Sequence, residues 1–257
     1  MFGGLSVRTV VPNPSTRPGL SLPGRVLLAA GSAAVVVEHV VLGLVTRVEP
    51  AAGDDPPTLV EFHRTTVTGR FVLAAGESRA LPFAHPLPWE TPITVLGGQG
   101  LLDLRMGLRT EVAVGPLLDQ GDLLGLFVHP LPAQERLLGA FDTLGFELRQ
   151  VGMQAGRLPG VAHDLPFHQK IGFWVGPLYA GPMSELEVTF LADPTGLEVI
   201  FWVDRRLALA GFGHFSISRF RVRHDGVDEV DWTDLLDSWL RHAIERHAAA
   251  AAGPPAS

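Results

Sequence analysis

No cysteine occurs among the 257 residues, which excludes disulfides, thiolate metal ligands and cysteine nucleophiles and fits a reducing, cytoplasmic setting. Lysine is almost missing as well: Lys170 stands alone, and the formal net charge at pH 7 is −7. Phosphate backbones are held by clustered Lys and Arg, and the arginines here are dispersed, so no nucleic-acid partner is expected. A long unbroken apolar run is also lacking. The most apolar stretch, 26–48, is interrupted by Gly31, Glu38, His39 and Gly43 and is rich in valine, so it reads as strands and no stable membrane insertion is expected. The opening Met1-Phe2-Gly3-Gly4-Leu5 has neither the basic start nor the apolar core of a signal peptide.

What the chain does have is 46% hydrophobic and 18% charged residues, a globular balance, with Gly 29 and Pro 21 favouring many turns between short strands. Its length suits one large domain or two of about 100 to 150 residues. The stretch 83–94 carries Pro86, Pro88 and Pro92, which can belong to neither a helix nor a central strand. We read Pro86, Pro88, Trp89 and Pro92 as a stiff, extended connector between two β-rich runs, with Leu81, Phe83 and Leu87 turned toward a core. Before it, runs at 7–11, 20–28, 35–48, 59–63 and 71–73 read as strands. Valines and leucines on both parities of 40–48 predict burial on both faces.

Beyond the connector, Leu102, Leu104, Met106, Leu108, Thr110, Val112 and Val114 share one parity, and Asp103, Arg105, Arg109 and Glu111 the other. Such a strand would span roughly 40 Å, so a bulge or break is expected near Gly107. Asp119-Gln120-Gly121-Asp122 reads as a tight turn without the further oxygen ligands that calcium needs. Pro132 opens a helix with apolar positions Leu137, Leu138, Phe141 and Leu144 and a stop at Gly145. Strands follow at 146–151, 169–175, 185–191 and 197–206, with an irregular loop at 152–166. In the last strand Leu197, Val199, Phe201 and Val203 lie on one face and Ile200 and Trp202 on the other. We expect a C-terminal helix from Trp232 to Ala248, capped by Asp231, to cover Ile200 and Trp202.

Reactive constellations do not emerge from the spacing. His163 and His168 are five apart on a proline-broken loop, and His242 and His247 five apart on a helix, neither matching the i, i+4 zinc pattern. Gly97-Gly98-Gln99-Gly100 and Gly211-Phe212-Gly213 do not sit between a strand and a helix as phosphate cradles do, and no Gly-x-Ser-x-Gly occurs. No catalytic residue, metal or cofactor is therefore expected. Asp204, Arg205 and Arg206 form the charged cluster of interest, which the residues themselves read as a strand end turned to solvent.

The blocks Phe83-x-x-x-Leu87-Pro88-x-x-x-Pro92, Leu165-Pro166-Phe167, Glu185-Leu186-Glu187-Val188-Thr189-Phe190, Asp193-Pro194-Thr195-Gly196-Leu197 and Val203-Asp204-Arg205-Arg206 follow one another along the chain, and Phe220-Arg221-Val222 and Asp231-Trp232 continue the series. In this order they resemble the bacterial sporulation-control proteins of the arrestin-like fold. By analogy with that fold, the alternative for Asp204, Arg205 and Arg206 is a buried interdomain ionic contact. Leu207 and Ala208 stand where such proteins often carry glycine. The resemblance covers roughly residues 6–245. It implies a mainly β protein of two tandem antiparallel β-sandwich domains, arrestin-like, with a short helix at the start of the second half and a C-terminal helix. The expected divisions are 1–128, 129–230, the helix 231–248 and a tail 249–257. It further implies a non-catalytic regulatory scaffold for sporulation or cell development, with unidentified protein partners and homo-oligomerisation left open. The alternative is a small-molecule or carbohydrate binder in a groove between the halves, with Trp89, Trp174, Tyr179 and Trp202 as stacking residues.

Overall fold

The computed structural model describes residues 4–51, 55–101, 104–115, 118–181, 183, 185–205 and 214–252. The chain divides into two compact units, Met1–His129 and Pro130–Ser257. It is mainly β and antiparallel, with a helix at the start of the second unit and another at its end.

The first unit runs β1 (Ser6–Val10), β2 (Ser15–Thr16), β3 (Ser21–Ala29), β4 (Val35–Val48), β5 (Thr58–Thr68), β6 (Phe71–Leu73), β7 (Ser78–Pro86), β8 (Val95–Leu96), β9 (Gln99–Gly100), β10 (Met106–Val114) and β11 (Leu118–Val128). A three-stranded sheet in the order β1-β3-β7 faces a larger one in the order β2-β11-β10-β4-β5, with β6 also paired to β4. Alternation decides which side chains meet between them. Leu22, Val26 and Leu28 come from the small sheet, and Val40, Leu42, Leu44, Leu108 and Val112 from the large one, into a single core. Val41 and Val45, on the other parity of β4, are buried too, as the two-sided pattern predicts.

Two local expectations change here. The alternation reaches further back than the strand: β10 starts at Met106, with Leu104 and Arg105 outside it, while Gly107 itself pairs regularly with Gly125 and Val45 and the bulge falls between Ala113 and Val114. Gly107 instead leaves room for a lateral neighbour, since a Cβ there would press on Leu123 and Val45. The turn expected at Asp119–Asp122 is strand, part of β11 paired along the whole of β10. β10 and β11 meet earlier in the chain, Val114 pairing with Leu118, and Gly115 has φ 61°.

The second unit runs α1 (Pro132–Thr143), β12 (Glu147–Ala155), β13 (Phe167–Trp174), β14 (Glu185–Asp193), β15 (Gly196–Arg205), β16 (His214–Arg223), a 3-10 turn (Val227–Glu229) and α2 (Trp232–Ala252). Its five strands form one sheet in sequence order. β12 continues four residues past the expected end at Val151, and α2 four past Ala248. α1 opens with Gln134 accepting a hydrogen bond from the Leu131 N–H at 2.8 Å. It closes on Gly145 at φ 79°, with the Gly145 N–H donating to Asp142 and the Phe146 N–H to Phe141. That is a left-handed cap whose hydrophobic clasp is the Phe141–Phe146 ring pair, 5.4 Å apart. Asp231 caps α2 by accepting from the Thr233 and Asp234 N–H groups at 3.1 and 3.0 Å.

Both helices pack on one face of the sheet. Phe141 of α1 stacks on Phe173 at 4.6 Å and meets Phe201 edge-on, and Trp239 of α2 stacks on Phe220 at 4.7 Å beside Phe201. In this unit, the layer facing the sheet is thus made by helices among the described residues. The expectation that α2 covers Ile200 and Trp202 is overturned: α2 lies on the Phe201 face. Ile200 is fully buried on the opposite face under Leu158, Val161 and Leu191, with Trp202 and Ile217 packed against them. The aromatic Phe201, Phe220 and Trp239 sides attract each other, and the 156–166 loop supplies the second cover.

Candidate interaction surfaces

The first unit is closed differently along its two seams. On one, Thr9 Oγ1 of β1 meets Thr110 Oγ1 of β10 at 2.5 Å, and the Thr9 N–H donates to the Asp122 carboxylate of β11 at 2.6 Å. On the other, the edge strands β7 and β5 bring His85 and His63 together edge-to-face, ring centroids 5.2 Å apart. His85 is fully buried, and neither of its ring nitrogens nor Nε2 of His63 has a hydrogen-bond partner. Burial, and then the neighbouring His63, push His85 down to about 4. No sequence motif marks this pair; the one signal is a histidine at the inward parity after Leu81 and Phe83.

The outer face of the large sheet carries a closed ring of charge. Glu61 accepts from Arg64 at 2.9 Å and Arg109 at 2.6 Å, and Glu111 accepts from Arg64 at 2.5 Å and is ion-paired with Arg109 at 2.8 Å. Hydrogen bonds from both arginines outweigh partial burial and hold the Glu61 carboxyl below its usual range. Gly43 makes this possible, because a side chain there would collide with the Glu61 carboxylate. Arg109 and Glu111 were readable as the wet parity of β10; their partners on β5 were not.

The connector is in the first unit. Leu87, Thr91, Pro92 and Ile93 are buried, and the Trp89 ring covers Gly19 so closely that a Cβ would not fit. Pro86 ends β7, Pro88 is half-buried, and the segment is clasped by Gly19 N–H to Leu87 O at 3.1 Å and Leu87 N–H to Leu20 O at 2.8 Å. Further on, the Thr94 N–H donates to Val128 O at 2.8 Å and the Val128 N–H to Thr94 Oγ1 at 2.9 Å. Asp204 and Arg205 lie at the end of β15, their backbones opposite Phe215 and His214 of β16. Arg206 lies outside the described residues, so the three are not brought into one described cluster.

In the second unit Tyr179 donates to Asp237 of α2 at 2.5 Å, and Arg241 holds the same carboxylate at 2.8 Å. Burial first, and then Asp237, push the Tyr179 phenol up to about 12. His163 and His168 do approach, ring centroids 6.3 Å apart, but His163 Nε2 accepts from the Leu158 N–H at 2.9 Å and His168 Nδ1 faces Gly156 O at 3.2 Å. They hold the loop that covers Ile200. β12 and β16 are the outermost strands of the sheet. Beside β12, Trp174 is half exposed under the Arg149 guanidinium, 4.9 Å from its ring, and Arg149 also pairs with Glu185. Between α1 and the start of α2 lies a groove of about 820 Å³.

These features define an antiparallel β protein whose charged and polar side chains are largely engaged with each other, and which offers sheet edges, sheet faces and a helical groove. The chain belongs to the SpoOM protein family, whose model matches residues 2–207. It is 32% identical over 254 residues to the sporulation-control protein spo0M of Bacillus subtilis (strain 168), covering 96% of this chain and 95% of that protein. The crystal structure of Spo0M from Bacillus subtilis superposes with a TM-score of 0.81 at 28% identity, over 94% of this chain and all of that one. Among the described residues no helix is long and apolar enough to cross a membrane.

Proposed function

We propose that this chain is a non-catalytic, arrestin-like scaffold that acts in the cytoplasm in the control of sporulation by binding other proteins. The observation that carries this reading is kinship along nearly the whole chain with a sporulation-control protein. The side-chain chemistry supports it. Titratable groups that come together are consumed in mutual pairing, as in the Glu61–Arg64–Arg109–Glu111 ring, or are buried and neutral, as in His85. Among the described residues, the outermost strands β12 and β16 have one backbone edge each without a neighbouring strand, suited to strand addition by a partner.

The test is deletion of the gene in its native organism, with spore counts, alongside cross-linked capture of proteins by the tagged full chain from sporulating cells. Altered spore formation restored by the wild-type gene, with a reproducible set of captured proteins, is the expected result. Normal sporulation and no captured protein, or an enzymatic turnover abolished by one substitution, would overturn the reading.

A further inference from the structure

The two outer faces of the first unit are opposite in character. That of the large sheet neutralises itself in the four-membered ring of charge, whereas no acidic residue occurs in any strand of the small sheet. Its outward positions hold two arginines, Arg8 and Arg25, both exposed and neither ion-paired or hydrogen-bonded among the described residues. Around them stand Leu27 and the smaller Ala80, Pro82 and Ala84, all exposed. Arg8 lies opposite Leu27 and Arg25 opposite Val10, so the two guanidinium groups are diagonal neighbours on one face. A depression of about 420 Å³ opens beside Arg8, lined also by Leu27, Ala29, Ala80 and Arg79, the last already paired with Glu77. Within a chain of net charge −7, the outward side chains of these three strands carry charge of one sign only.

We propose that the outer face of the β1-β3-β7 sheet docks an amphipathic helix of a partner protein, whose two carboxylates, one helical turn apart, pair with Arg8 and Arg25. The proposal rests on the scaffold reading above and names the surface and the chemistry of its partner. Three strands at about 4.8 Å spacing make a track roughly 10 Å wide, and a helix with its side chains is about 10–12 Å across. Diagonal cross-strand neighbours lie about 7–8 Å apart, and acidic side chains at i and i+4 of a helix about 6 Å apart, within reach of two flexible arginines. The small residues let the helix approach closely, and the depression at Leu27 receives one apolar side chain. Guanidinium forks favour carboxylates in two-point contact, which supplies orientation as well as attraction. A lipid surface fits less well: stable attachment to anionic membranes takes clusters of about four to eight basic residues, and two arginines on an acidic protein fall short.

The test uses the full chain and two synthetic helical peptides of about 18 residues, long enough to hold a helix. They share an Ala/Leu stripe and differ only in carrying a Glu pair or a Gln pair at i and i+4. By fluorescence anisotropy at low salt, the Glu peptide should bind at least about tenfold more tightly than the Gln peptide, and salt should erode the difference. The double variant R8E/R25E, and the milder R8Q/R25Q, should lose the preference, while R17E at an exposed turn keeps it. Equal binding of the two peptides, retention of the preference by R8E/R25E, or arginine-dependent binding to phosphatidylserine vesicles in place of the peptide would overturn the proposal. Repeating the capture from sporulating cells with R8E/R25E separates the two readings. Partners retained by the variant remove this surface and leave the scaffold standing, whereas no partners even with wild type removes the scaffold as well.

Discussion

His85 sits fully buried, with no hydrogen-bond partner for either ring nitrogen. A histidine in an unfolded chain takes its proton near 6.5, whereas in the folded chain burial, and then His63, delay this until about 4. The unfolded state therefore binds the proton first. Stability is at its full value above about pH 6.5 and falls as the pH drops toward 4, by up to about 3 kcal/mol at 1.36 kcal/mol per unit. Replacing His85 by Leu should flatten that acid limb and remove two unpartnered nitrogens from the core. Urea midpoints followed by Trp89, the only tryptophan in residues 1–129, would show it; an unchanged pH slope would clear His85 of the effect. Tyr179, the only tyrosine, gives the mirror case. Its raised phenol stays neutral to about 12, so the stability it brings is complete below pH 10 and is lost as the pH rises through that window. The ultraviolet absorbance of tyrosinate should accordingly appear near 12 in the native chain and near 10 in urea. Asp237→Asn should bring the native value down.

At the level of elements, the C-terminal helix is set by its cap and its aromatic contact. Asp231→Ala removes the acceptor for two N–H groups and should cost about 1 kcal/mol, read as a lowered urea midpoint with a small loss of helical circular dichroism. The loop that covers Ile200 makes a stronger prediction. Leu158→Ala should cost about 2–5 kcal/mol, and the emission of Trp202 should shift to the red as water reaches it. What was legible in the sequence follows the same division. Period-two alternation identified β10 and the inward side of β7, and the proline, apolar stripe and glycine located α1, because these signals are local. The turn read at Asp119–Asp122 failed because its residues answer to distant ones. Asp122 accepts from Thr9, 113 positions away, and Gly121 sits where a Cβ would come within 3.1 Å of Thr110 O. Turn-forming residues were placed in a strand by pairing that local preference does not report. The same holds for the cover of Trp202: both faces of β15 visibly needed burial, but the spacing contained nothing to say which element takes which face.

For the molecule as a whole, each unit has its own buried cluster and its own sheets, and the division falls at His129 and Pro130. A fragment of residues 1–129 should therefore unfold cooperatively on its own, with a sharp urea transition by Trp89 fluorescence; a broad, non-cooperative change would show that its core is incomplete. The family resemblance was legible at this scale because blocks in order survive where single motifs do not. The histidine seam and the ring of charge were not, since each joins strands whose neighbours only the sheet order decides.

The last strand of the first unit has one more property. Val128 is clasped to Thr94 by two hydrogen bonds, and the His129 N–H donates to Thr16 O at 2.8 Å, one residue before the second unit begins. A pull applied at His129 along the axis of this strand, which is paired with β10 on one flank and with Ser15 and Thr16 on the other, would load its hydrogen bonds in shear, all together instead of one by one.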